Sequence, residues 1–220
     1  MPFDWSWFWP TFAAAIEQTF YMVIVTLIIS VILGIPLGVV LVVTRENGIL
    51  QNKFIFNILN VIINIFRSVP FIILVVAIIP FTRLIIGTTI GTTAAIVPLV
   101  LYTLFYIARL VENSLLEVDS GTIELAQAMG ATPWQIIWRF LLPEARSSIV
   151  LALTIATIGL IGATAMAGAV GAGGIGDLAI TYGYQQFQTG VMVVTVIALV
   201  VIVQLVQSIG NLIAKKLRRN

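Results

Sequence analysis

Apolar residues in this chain gather in five long runs separated by short polar interruptions. Residues 20–43 carry only Thr26 and Ser30 as polar members, and these 24 residues are long enough to cross a hydrocarbon core as a helix. The second run, 54–82, is interrupted by Arg67 and Pro70 and predicts one long helix, tilted or kinked. Runs at 92–116, 147–168 and 191–213 complete the set. The pattern predicts an all-α polytopic membrane protein with five transmembrane helices, forming a single domain over 1–220 with its core at about 15–213.

Within these runs the minority residues fall at helical spacings. Gly34 and Gly38 bracket Pro36 in a GxxxG pattern that lets a second helix approach closely. Gly159, Ala163, Ala167 and Gly171 make a small-residue stripe of the same kind. Asn57, Asn60, Asn64 and Arg67 follow one another at steps of three or four and so share one helix face. An arginine at membrane depth must face the bundle interior, water or a partner. Two readings of Arg67 stand: it snorkels or pairs structurally, or its face lines a pathway. On the second reading Asn60, Asn64, Arg67, Ser68 and Pro70, with Met166 further along, are the candidate pathway or gating residues. Arg109 and Glu112, three apart, are placed to pair.

The longest polar interruption is Gly121–Arg146. Ser120 or Thr122 is the expected cap of a helix starting near Ile123, with Glu124 in its first turn. That helix should stop at Gly130, a residue suited to the left-handed position beyond a helix end. Thr132 and Pro133 then predict a second cap and first helical position, and Trp134, Ile137, Trp138 and Leu141 an apolar face. The second helix is expected to end at Leu142-Pro143. Such a helix–turn–helix lies on the membrane surface through its tryptophans, or serves as a docking knob.

Composition agrees with the pattern: 60% of residues are apolar, 9% are charged, and mean hydropathy is +1.12. There is no cysteine for a disulfide and no histidine for a general base or metal ligand. The aromatic N-terminus, MPFDWSWFWP, lacks the basic start of a signal peptide and suits an interfacial anchor. Charge placement sets the orientation. Arg45, Lys53, Arg109, Arg139, Arg146, Lys215, Lys216, Arg218 and Arg219 fall on one side of a five-span scheme, against Arg83 on the other. The excess of basic residues on cytoplasmic loops predicts N-terminus outside, C-terminus inside and the 121–146 loop in the cytoplasm of a multi-pass cell-membrane protein.

Some motifs point elsewhere and are set aside. Gly171-Ala172-Gly173-Gly174-Ile175-Gly176 matches GxGxxG, but it follows a membrane run, and Val196 stands where a dinucleotide site needs an acid. Close packing or a re-entrant turn is the expected role. No G-x-x-x-x-G-K-[ST] occurs, so the chain is not expected to be an enzyme or to hold nucleotide. Glu17, Glu112 and Asp177 are too few and too peripheral for a proton relay, and no internal repeat is evident, which argues against an ion-coupled secondary carrier.

The loop carries a resemblance. Glu124-Leu125-Ala126, Gly130 six positions after the glutamate, and Leu142-Pro143 beyond it resemble the EAA loop of ABC importer permeases, with Leu125 where the family has alanine. Asn64-Ile65-Phe66-Arg67-Ser68-Val69-Pro70, Ala108-Arg109-Leu110-Val111-Glu112-Asn113, Met129-Gly130-Ala131-Thr132-Pro133 and the glycine-rich 168–174 are similar to the methionine-uptake ABC permeases. The resemblance implies a type I importer permease fold. It also implies an ATPase-coupling loop carried by Glu124, Ala126, Gly130, Ala131, Thr132, Pro133, Leu142 and Pro143. The partners it implies are a second copy of the chain, two cytoplasmic ABC ATPases and an extracytoplasmic binding protein, with no nucleic acid. The substrate it implies is methionine, the L-form and as a further candidate the D-form. No cofactor is expected in this chain; ATP and magnesium belong to the ATPase. Import of another small amino acid or peptide is the alternative, with secondary transport behind it.

Overall fold

The computed structural model describes residues 5–218. Among them every regular element is helical: α1 Trp5–Thr44, α2 Lys53–Ser68, α3 Phe71–Ala77, α4 Ile79–Ile86, α5 Thr92–Leu116, α6 Ser120–Ala128, α7 Pro133–Ile136, α8 Leu142–Gly168, α9 Gly174–Asp177 and α10 Thr189–Arg218. Two π-helical segments, Ile137–Leu141 and Leu178–Gln185, complete the order. The fold is that of a multi-pass membrane protein. Four helices are long and apolar enough to cross a membrane: α1, α5, the continuous helix Pro133–Gly168 and α10. A fifth is reached only if the broken pair α2 and α3 counts as one span.

That break corrects the helix expected over 54–82. The chain leaves helical geometry at Val69-Pro70, so that α2 ends at Ser68 and α3 starts separately at Phe71. Proline disfavours helical geometry in the residue before it, here the β-branched Val69, and offers no N–H to the preceding turn. A second interruption follows at Ile78. The first helix also differs: it starts at Trp5 rather than near residue 20, and at 40 residues is about 60 Å long. Met1–Asp4, part of the aromatic anchor, lie outside the described residues, as does Arg219.

The chain divides into two units. The first holds the residues up to Ile29, Val69–Thr103 and Thr157–Val206. Its main core joins Met22, Val23, Phe71, Leu99, Leu160 and Ala163. Phe8 and Phe12 enter a second core with Ile175, Leu178 and Val191, so the aromatic start of α1 is packed against protein as well as suited to an interface. In the same unit the glycine-rich stretch forms the turn before α9. Gly171, Gly173 and Gly174 have φ of 86°, 78° and 85°. The Gly174 and Ile175 N–H groups donate to Gln18 Oε1 (2.8 Å) and Thr19 Oγ1 (2.9 Å) on α1. A Cβ on Gly176 would overlap the Ala165 backbone, so close packing is part of its role. What reads as a connection at 171–188 is thus largely helical, because its backbone donors are met by α1 and by its own π turns.

The second unit holds Ser30–Ser68, Leu104–Ala156 and the chain from Gln207 onward. Here α1 lies directly on α5. A Cβ on Gly38 would sit 2.7 Å from the Ala108 carbonyl oxygen and 2.9 Å from Val111, so only glycine allows this approach. Leu41, Ile63 and Ala108 form the core that brings in α2. Ser147 at the start of α8 donates to the Ala214 carbonyl on α10 (3.0 Å).

Candidate coupling site and interhelical polar cluster

The 121–146 loop forms within the second unit. Asp119, rather than Ser120 or Thr122, caps α6: its carboxylate accepts from the Gly121 N–H at 2.7 Å. An aspartate at this position meets an orphan N–H and also favours the positive end of the helix dipole, which a serine hydroxyl does only in part. The end of α6 is as its glycine suggests. Gly130 has φ of 76°, its N–H donates to the Gln127 carbonyl, and the Ala131 N–H reaches back to Ala126. This pair of bonds is the Schellman turn. Two residues on, Thr132 and Gln135 form a reciprocal capping box around Pro133, at 3.4 and 2.9 Å.

The second loop helix does not stop at Leu142-Pro143, contrary to the sequence expectation. It passes through the π segment Ile137–Leu141 and continues as α8, so that Pro133–Gly168 is one helix of 36 residues. The Leu142 N–H donates to the Ile137 carbonyl five residues back. This wider turn ends just before Pro143, which has no N–H to offer and whose ring would otherwise crowd the Arg139 carbonyl. The π turn therefore accommodates the proline that an ordinary ladder would reject.

The loop buries one side and presents the other. Ala126, Ile136 and Leu141 are buried, and Ser148 on α8 donates to Glu117 Oε2 at 2.8 Å. Glu124 is exposed, as are Leu125 (60%), Met129 (62%), Trp134 (67%) and Trp138 (54%). The two tryptophan rings lie 5.5 Å apart. Apolar side chains this open on capped, rigid helices form a surface suited to a partner. Beside it is a cavity of about 450 Å³ lined by the 45–49 turn and by Ile123, Glu124 and Gln127. Of the resemblance-implied loop residues, Thr132, Pro133 and Pro143 are exposed, Ala131 and Leu142 half-buried.

The membrane candidates separate. Asn60 and Asn64 are brought together on Arg109, whose Nη2 donates to their Oδ1 atoms at 2.6 and 2.9 Å. Arg109 Nη1 also donates to Glu112 Oε2 at 2.6 Å, with both side chains mostly buried. Asn57, Arg67, Ser68 and Pro70 are exposed, and among the described residues Arg67 has no carboxylate partner. Met166 belongs to the first unit and is 54% exposed. The link from the asparagine face to the Arg109–Glu112 pair is what sequence reasoning missed. Its signal was two polar groupings, each on one face of an otherwise apolar helix.

Residues 30–219 match the family model described as the binding-protein-dependent transport system inner membrane component. A probable D-methionine transport system permease protein MetI of Vibrio cholerae is 50% identical over 203 residues, 92% of this chain and 90% of that protein. Its counterpart in Haemophilus influenzae is 43% identical over 95% of this chain and 98% of that one. A solved inward-facing structure of the MetNI methionine ABC transporter superposes with a TM-score of 0.95 at 45% identity, covering 98% of this chain and 99% of its own. A crystallised amino acid ABC transporter, at 18% identity and a TM-score of 0.79, shares the fold. The chain belongs to the family of binding-protein-dependent transport system inner membrane components, and within it to the MetI-like permeases of ABC transporters.

Proposed function

We propose that this chain is the membrane subunit of an ATP-driven importer of methionine, working as a homodimer with two ATPase subunits and an extracytoplasmic binding protein. The observation that carries the reading is the rigid loop: α6 and α7, each capped and joined by the Gly130 turn, present exposed apolar and acidic residues, and α7 runs without a break into α8. A displacement of such a loop is passed on as a rigid-body movement, whereas a flexible loop would absorb it. Glu124, Gly130, Ala131, Thr132 and Pro133 form the coupling surface, Ala126 packs beneath it, and Leu142 and Pro143 are its joint to the membrane helix. ATP and magnesium are held by the partner ATPase, and this chain moves substrate by alternating access.

The charges support placement in the inner membrane with the loop in the cytoplasm. Arg45, Lys53, Arg139, Arg146, Lys215, Lys216 and Arg218 cluster at the helix ends and turns of that side. The near relatives named for D-methionine transport and the methionine transporter of closely similar fold support the substrate.

Reconstitution tests the reading. The chain is assembled with its ATPase and binding protein in liposomes, and ATP hydrolysis is measured with methionine and with a panel of other amino acids and short peptides. Stimulation by methionine together with its accumulation is the expected result. Stimulation only by a different ligand overturns the substrate, and uptake by the chain alone overturns ATP-driven transport.

A further inference from the structure

A polar cluster of the second unit, with Arg109 and Glu112 mostly buried, Asn60 half-buried and Asn64 exposed, joins two helices at one point. Glu112 neutralises Arg109 from one turn away on α5, which leaves the guanidinium oriented with Nη2 turned toward α2. Asn60 and Asn64, four residues apart on α2, both accept from that nitrogen, at 2.6 and 2.9 Å. The Asn64 amide also approaches Asn60 Oδ1 at 3.5 Å. Apolar contacts between α2 and α5 accompany it: Ile63 beside Ala108, and Phe66 stacked on Phe105 with centroids 4.5 Å apart. In lipid such contacts do not fix register, because a slipped helix meets equally apolar chains, while a directional bond between polar groups does. Fixing one alignment is the best-attested use of such a group.

The position of the cluster gives that alignment a consequence. Only Glu117–Asp119 separate α5 from the loop helix α6, and Glu117 is itself held by Ser148 on α8. Movement of the loop therefore reaches α5 within three residues of chain. From Arg109 the same movement has a polar link to α2. We propose that Asn60 and Asn64 are positioning residues of the transport cycle, locking α2 to Arg109 so that α2 and α5 move as one body when the loop is displaced. This inference rests on the coupling reading above and deepens it.

The test uses the whole complex with ATPase and binding protein in liposomes. In Asn60→Leu/Asn64→Leu, ATP hydrolysis stays within about twofold of the parent, while methionine taken up per ATP falls at least about fivefold. Glu112→Gln with Asn64→Asp, made in the parent, moves the carboxylate onto α2, keeps the link to Arg109 as an ion pair between helices, and leaves the ratio near the parent's. Because the chain has no cysteine, spin labels on one introduced cysteine in α2 and one in α5 report their separation cleanly. That separation stays constant between nucleotide-free and ATP-bound states in the parent and changes in the double-leucine variant. An unchanged ratio in an assembled double-leucine complex, or a separation that changes in the parent, overturns the lock. If the double variant does not assemble, Asn64→Ala carries the same expectation at smaller size. A parent complex that transports a different ligand refutes the substrate assignment alone, since the label distances still judge the lock.

Discussion

At Pro70 the chain leaves one helix and begins another, whereas at Pro143 a helix that starts in the polar loop runs on as a long apolar element. Pro70 interrupts the 54–82 run and Pro143 closes the 121–146 loop stretch, and neither has an N–H to donate. The surroundings differ. Ser68, the last residue of α2, folds its hydroxyl back onto the Asn64 carbonyl at 2.7 Å, and Pro70 takes up ψ of 138° as the residue before α3. Before Pro143, the ladder widens over Ile137–Leu141 and the Leu142 N–H reaches the Ile137 carbonyl, so the helix survives. A break and a joint have thus been made from the same residue type. What separates them is whether the preceding turn can rearrange its hydrogen bonds while staying packed: Ile137 and Leu141 are buried, while Ser68 and Pro70 are exposed.

The largest expected effect comes from breaking the rigid side at its turn. Gly130→Val places a β-branched residue at φ of 76°, where only glycine is comfortable, and so destroys the Schellman turn between α6 and α7. Methionine uptake per ATP should fall by more than about tenfold, a loss near 1.4 kcal/mol or greater in coupling. Normal accumulation in reconstituted vesicles would remove the loop from the mechanism.

The two prolines themselves sharpen the comparison. Pro143→Ala supplies the missing N–H and lets the π segment relax to an ordinary helix, turning the loop by up to about 100° relative to α8. Uptake per ATP is expected to drop about threefold to tenfold with hydrolysis retained. Pro70→Ala frees Val69 to become helical, and the amide hydrogens of residues 69–71 should gain protection from exchange. If Pro143→Ala leaves coupling intact and the π turn in place, the proline is not what the π turn accommodates.

The smallest effect is expected at the cap. Asp119→Ala leaves the Gly121 N–H without its carboxylate and should lower stability of the assembled chain by about 1 kcal/mol. A thermal unfolding shift in detergent reads this, and Asp119→Asn should recover most of it.

Much of this architecture is legible before any coordinates. The run 92–116 coincides with α5, and the 34–38 spacing marks the close approach of α1 to that helix. Thr132-Pro133 and Gly130 announce their cap and turn because those signals act within four residues. Arg109 and Glu112 pair as their spacing suggests. The less local features escape. A span over 54–82 satisfies every length criterion, yet the chain bends there, since run length says nothing about whether one turn can rearrange around a proline. The stop expected at Pro143 fails for the converse reason.

Sequence alone determined the class of this protein, because burying so many apolar residues in lipid obliges the backbone to satisfy itself in helices. It also determined the local caps and turns, whose energies depend on neighbours in the chain. The tertiary structure decided which proline became a break and which a joint. It also decided that two asparagines on α2 would share an arginine 45 and 49 residues away. Those outcomes turn on which polar group meets which across helices, and in lipid an unmet group is costly enough to override the spacing that looked decisive.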